Sequence, residues 1–290
     1  MRIAGRTAIV TGASSGIGRE TVRELTAKGA NVVLASRNRE KLEAVAIDLV
    51  HLPGRTLVVP TDVTERLSVA ALVRRTVEEF GDLDILVNNA GSGLFASIAG
   101  GSIENMRHLF DVNFWGAMHC IHAAVPYMQS QRRGHIVNVS SVAGRFAPPY
   151  MGAYAATKFA LRAISDSLRS ELTDTGIGVS TIYPGLTQTS FTESMIQEVP
   201  VPHIPPIVRF VSPRTVAHRI VMAIRWGMRD VFVSPEDIAA VAASTLAPQL
   251  FDWFAHLFIG PQRVGEEIVL PRLEEERRYA ADAEPGAEPS

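Results

Sequence analysis

The chain has 290 residues with 28 basic and 30 acidic side chains, a formal net charge of −2. That near-balance excludes the basic surface on which nucleic-acid binding rests, and 47% hydrophobic against 20% charged residues is a globular composition. One cysteine, Cys120, excludes an intrachain disulfide and a thiolate metal site, and the eight histidines show no HExxH spacing.

Residues 1–6 lack the apolar core of a signal peptide, so a cytoplasmic protein is expected. Residues 6–11 form a short apolar run that meets a glycine turn and reads as a buried strand. Ile17, Val22 and Leu25 carry helical spacing over 17–28, and Gly29 follows as a stop. Residues 31–35 read as a second buried strand, followed by a charged helix over 38–50. Residues 56–60 and 83–88 read as strands three and four, with a helix between them that ends at Gly81. Long helices are predicted over 103–130 and 152–174, separated by a strand at 135–140. Residues 179–183 and 231–233 complete seven predicted strands.

Strands that are continuously apolar and alternate with helices indicate a parallel sheet covered on both faces, a doubly wound α/β fold of Rossmann type. The segment 190–213 breaks that rhythm, with five prolines between Pro200 and Pro213, and reads as a lid loop. Residues 1–235 are thus expected to form one domain, 236–271 a hydrophobic extension, and 272–290, rich in Glu, Ala and Pro, a disordered tail. Within the extension, Ile238–Gly260 holds one formal charge, Asp252, among residues such as Leu246, Leu250, Phe251 and Trp253. Pro248, Gln249 and Asp252 in its middle argue against a bilayer span. A lid or subunit contact covering a greasy pocket and a helix resting on a membrane surface (238–260) are the expected alternatives, and both point to a lipophilic substrate.

Two motifs carry chemistry. Thr11-Gly12-Ala13-Ser14-Ser15-Gly16-Ile17-Gly18 follows a strand and opens a helix, where glycines let the backbone approach a pyrophosphate seated on the helix N-terminus. At the end of strand two an acidic residue would bond the ribose 2′-hydroxyl of NAD; Ser36-Arg37-Asn38 stands there instead, and the Arg37 fork suits the 2′-phosphate of NADP. The second motif, Tyr154-Ala155-Ala156-Thr157-Lys158, places a phenol and one of only three ammonium side chains on one helix face. A free tyrosine titrates near 10, and Lys158 is expected to lower that value for acid–base work.

With Asp62-Val63, Asn88-Asn89-Ala90-Gly91, Asn113, Ser141 and Pro184-Gly185 in order beside these motifs, the chain resembles the short-chain dehydrogenases/reductases from about residue 5 to 190. It follows neither the glycine spacing of that family's extended branch nor the Tyr–Lys spacing of its enoyl-reductase branch. The resemblance implies an NADP-dependent oxidoreductase interconverting a carbonyl and an alcohol. In it Tyr154 is the general acid, Ser141 (with Ser140 as rival) a donor to the same oxygen, and Lys158 holds the nicotinamide ribose. Asn113 would position a water linking Lys158 to solvent. Asp62 would accept from the adenine amino group and Val63 cover the ring. Asn89, with Ala90 and Gly91, would stabilise the strand or contact the adenosine ribose. Beyond Pro184 and Gly185, the Leu186 backbone, Thr187 and Thr189 would anchor the carboxamide. A homodimer or homotetramer is implied through the helices at 103–130 and 152–174. The other classes weighed are a nucleotide sensor without catalysis and a membrane-associated partner protein. His119 and His122 read as interhelical or surface residues, Cys120 as core, and Tyr150 as lining the substrate mouth or packing.

Overall fold

The computed structural model describes residues 1–200 and 209–259, and within them every side chain except those of 193 and 254–259. Part of the expected lid (201–208), the extension beyond 259 and the expected tail at 272–290 lie outside the described residues.

In chain order the first half holds β1 (Thr7–Thr11), α1 (Gly16–Ala27), β2 (Asn31–Ser36), α2 (Arg39–Asp48), β3 (Thr56–Pro60), α3 (Arg66–Phe80) and β4 (Ile85–Asn88). There follow β5 (Leu94–Phe95), α4 (Ile103–Phe110), a π-helical turn (Asp111–Trp115), α5 (Gly116–Ser130) and β6 (Gly134–Val139). A 3₁₀ turn (Val142–Gly144), α6 (Gly152–Glu171), β7 (Ile177–Tyr183), α7 (Phe191–Ser194) and β8 (Ile196–Gln197) come next. The described chain closes with α8 (Pro213–Trp226), β9 (Asp230–Phe232), α9 (Pro235–Leu246) and α10 (Pro248–Ile259).

Seven strands pair in parallel in the order β3-β2-β1-β4-β6-β7-β9. Strand alternation sends Ala8 and Val10 into the core shared with Val22, Leu25, Ile220 and Ile224 of α1 and α8. Ile9 and Leu86 point to the other face, against Val69 and Leu72 of α3 and Ile121 of α5. Full burial of each large aliphatic side chain contributes about 1.5–3 kcal/mol, so both faces are covered strongly enough to fix the register. The chain order reverses between β1 and β4, and the crevice beyond their carboxyl ends is where an open α/β sheet takes its ligand.

Four features depart from the sequence reading. The helix expected over 103–130 is broken in its middle by the π turn, and Asn113 sits inside that turn. A helix not anticipated, α8, begins at Pro213 behind the cap Ser212, whose hydroxyl accepts from Thr215 N. The dipeptides β5 and β8 pair as a separate two-stranded sheet. The apolar stretch 238–260 divides into α9 and α10 at Ala247, because Pro248 supplies no N–H to continue α9. Among the described residues, no helix is long and apolar enough to cross a membrane.

Candidate active site

A cavity of about 910 Å³ opens at the carboxyl edge of the sheet. Every residue singled out above for catalysis or cofactor binding lines it, except Gly18 and Asn113, which lie just behind its wall. The glycine turn shapes one end. Gly12 has φ +65°, and a Cβ on Gly18 would lie 2.1 Å from the Gly12 carbonyl oxygen, so the turn closes only with glycine at both positions. The Asn89 side chain holds this turn, donating to Thr11 O at 2.9 Å and Gly12 O at 3.3 Å. Behind it α1 starts at Gly16 with no side-chain cap and no acidic residue in its first turn, leaving its N-terminal N–H groups for an anion.

The far side of the turn faces the end of β2. The Ser36 hydroxyl is buried there without a hydrogen-bond partner, and Arg37 and Lys41 line the cavity beside it. Asp62 accepts from Thr64 N at 3.0 Å and Thr64 Oγ1 at 2.8 Å. Burial raises its pKa, but these bonds and the charges of Arg37 and His108 outweigh burial and hold the carboxyl below the usual range. Val63 is buried, and its carbonyl bonds the His119 ring at 3.0 Å.

At the sheet edge, Ser141 follows β6 and Tyr154 and Lys158 project from the first turns of α6. The Ser141 hydroxyl lies beside the Tyr154 phenol and donates to Pro184 O at 3.3 Å. Ser140 instead turns away and donates to Lys158 O at 3.1 Å. The Lys158 ammonium donates to Val139 O at 3.1 Å and lies 5.7 Å from the centre of the Tyr154 ring. Burial pushes the Tyr154 phenol up to about 12, only partly offset by Ser141. Burial also lowers Lys158 to about 8. The sequence reading expected Lys158 to draw the phenol down; in this structure desolvation dominates and keeps Tyr154 protonated.

Asn113 is spent on its neighbours. It donates to Ser92 O at 3.0 Å and Thr157 Oγ1 at 3.1 Å, and accepts from Ser92 N at 2.8 Å. Its amide therefore braces the segment beside Lys158, and the mid-helix asparagine has a structural reason in the π turn. Leu186, Thr187 and Thr189 leave β7 over the mouth, with Thr189 against Gly16. Tyr150 packs on Phe95 with ring centres 5.6 Å apart. Cys120 is buried, its thiol pushed up to about 12.

The cavity also has an apolar lining. Phe95, Met151, Phe191 and Met195 belong to it, and Phe146 meets Phe251 of α10 edge-to-face at 4.8 Å. Ala240 and Phe251 were not among the expected site residues. Their signal was only the greasy composition of 238–260.

A parallel sheet, a glycine turn at a helix N-terminus and a Ser–Tyr–Lys group in one cavity define a dinucleotide-dependent oxidoreductase. The short chain dehydrogenase family model matches residues 6–200. The chain belongs to that family and is an NAD(P)-dependent oxidoreductase. An uncharacterised oxidoreductase of Staphylococcus epidermidis is 39% identical over 193 residues, 66% of this chain and 82% of the relative. A short chain dehydrogenase/reductase of Burkholderia phymatum, solved with NAD, superposes with a TM-score of 0.78 at 26% identity, covering 86% of this chain and 96% of its own. A metagenomic short-chain oxidoreductase solved with NADP gives a TM-score of 0.68 at 30% identity, covering 80% and 98%.

Proposed function

We propose that the protein is an NADP(H)-dependent oxidoreductase that interconverts a carbonyl and a secondary alcohol on a lipophilic substrate. The observation that carries this reading is the Ser141–Tyr154 pair in a cavity that Phe95, Phe146, Met151 and Phe251 also line with apolar surface. The pyrophosphate fits the uncapped start of α1, and the buried, unpartnered Ser36 hydroxyl beside Arg37 and Lys41 suits a 2′-phosphate. When bound, the nicotinamide supplies or accepts the hydride at the substrate carbon.

In reduction, Tyr154 gives its proton to the carbonyl oxygen while Ser141 donates a hydrogen bond to that oxygen as charge develops. The Lys158 ammonium, buried beside the phenol, favours the phenolate that remains and holds the nicotinamide ribose. Asn113 acts at one remove, by bracing the segments that carry Ser92 and Thr157. Asp62 and Val63 take the adenine, and the loop from Pro184 to Thr189 takes the carboxamide.

Residues 1–235 form the catalytic body, and the extension closes its substrate end through Ala240 and Phe251. Ile238, Leu246, Leu250 and Trp253 stay exposed on α9 and α10, and an interfacial contact with a lipid surface would serve the same substrate class. The direct test is NADPH consumption over a panel of aldehydes and ketones of graded polarity. Turnover confined to small polar carbonyls overturns the substrate class, and no turnover with any of them favours a nucleotide sensor.

A further inference from the structure

The peptide between Pro184 and Gly185 is held from both sides. Its carbonyl accepts from the Ser141 hydroxyl at 3.3 Å and from Val142 N at 3.0 Å. On the other side the carboxylate of Asp237, in the first turn of α9, lies against Gly185, whose N–H favours its charge. A Cβ on Gly185 would lie 2.1 Å from Asp237 Oδ1, so only glycine lets the carboxylate come this close. The other oxygen of Asp237 accepts from Ser234 N at 3.0 Å, and Asp237 N donates back to Ser234 Oγ at 3.2 Å. Asp237 thus completes a capping box on α9 and reaches across to the active-site loop with the same side chain.

We infer that Asp237 is a positioning residue: through the Pro184–Gly185 peptide it fixes the Ser141 hydroxyl and the loop that takes the dinucleotide, making α9 an integral support of the site. The chain of contacts is short and directional. If the carboxylate is lost, the Gly185 N–H loses the charge that faces it, and the peptide is free to rotate. Rotation carries away the carbonyl that orients Ser141, and it tilts the backbone leading into Leu186 and Thr187. Asp237 is buried at 9% exposure, so water does not replace it freely. This inference rests on the dinucleotide-binding role proposed above for that loop.

The test compares Asp237→Asn with Ser234→Ala. Both weaken the capping box, but only the first removes the charge that faces Gly185. NADPH binding is followed by its fluorescence, alongside kcat, KM and the melting temperature of the free protein. Asp237→Asn is expected to weaken NADPH binding and lower kcat by about tenfold each. Ser234→Ala is expected to lower the melting temperature and leave NADPH binding within twofold. Parallel losses of binding in both variants, scaling with melting temperature, would reduce Asp237 to a helix cap and overturn the inference. Unchanged binding and kcat in Asp237→Asn would overturn it as well. Should Asp237→Asn fail to fold, Gly185→Ala displaces the carboxylate from the opposite side; the same loss supports the inference and parental binding defeats it. The parent's own NADPH titration tests the proposed function, whereas the ratio of variant to parent tests Asp237.

Discussion

The Ser141 hydroxyl, just past the end of β6, lies beside the Tyr154 phenol in the first turn of α6. Two groups that can each donate to one oxygen are therefore brought together before any substrate arrives, with the phenol kept protonated by burial. Tyr154→Phe keeps the ring and its packing on Phe191, at 5.9 Å, but removes the proton. Turnover is expected to fall by about 10²–10⁴-fold while NADPH binding stays near the parent's. Stopped-flow or steady-state rates with a responsive ketone check this. Turnover within a few-fold of the parent would remove Tyr154 from the chemistry.

Cofactor choice turns on the end of β2. Arg37 is exposed, and the Ser36 hydroxyl beneath it has no partner within the protein. NADPH is expected to bind better than NADH by about ten- to a hundredfold, the worth of a charge-assisted phosphate contact, and Arg37→Ala to abolish most of that ratio. Titration of both reduced dinucleotides against parent and variant decides it. Equal affinities in the parent would show that the missing acidic residue leaves the site indifferent to the 2′-phosphate.

A buried histidine sets an acid limit on stability. His135 Nε2 bonds the Ser180 hydroxyl at 2.8 Å, and that hydroxyl donates to Met228 O, so Nε2 carries the proton of a neutral ring. Burial lowers its pKa from 6.5 to about 4. Between those values the unfolded chain binds the proton and the folded chain does not. Stability is thus full above pH 6.5 and is lost as pH falls toward 4. Urea midpoints measured from pH 7 to 4 should fall less steeply for His135→Gln than for the parent. An identical slope would assign the acid sensitivity to other groups.

Much of the site was legible because it lies on short, locally coded motifs. The glycine turn, the Tyr154–Lys158 spacing and the strand ends reach one cavity, as the alternation of strands and helices implied. What escaped was non-local or shifted by a single turn. The apolar spacing of 103–130 fits one helix, and only Asn113 hinted at the π turn that its side chain helps to hold. The pairing of Leu94–Phe95 with Ile196–Gln197 joins dipeptides a hundred residues apart, and no periodicity survives in two residues. By contrast, Ser212-Pro213 and Ser234-Pro235 each carry a readable cap followed by proline at the helix start, so α8 and α9 were encoded locally. The contact of Asp237 with Gly185 was not, because it depends on how α9 docks.

Assembly follows from the outer helices. Ile103, Trp115 and Tyr127 on the α4–α5 segment and Phe159 on α6 remain exposed in the single chain. Burying such side chains in a two-fold contact between copies removes them from water, and a homodimer or homotetramer is expected. Light scattering at micromolar concentration checks it, with Trp115→Glu expected to shift the mass toward the monomer. A monomeric parent would refute it.

An aromatic contact joins α10 to the loop after the 3₁₀ turn. Phe251 of α10 meets Phe146, which follows the 3₁₀ turn after Ser141, with ring centres 4.8 Å apart and planes at 67°. The two rings form an apolar wall of the cavity with Met151 and Phe191, and the same cavity holds the polar group at Ser141 and Tyr154. A long apolar ketone would place its carbonyl on that group and its tail along the wall, whereas a small polar one would never reach Phe251. Phe251→Ala is therefore expected to raise KM for long apolar ketones about tenfold, the scale set by losing an aromatic contact in a hydrophobic pocket. KM for small polar carbonyls should move by less than twofold, and kcat for both should hold, because the proton donor is untouched. An equal rise for both classes would mean that α10 only stabilises the fold, and the case for a lipophilic substrate would fall with it.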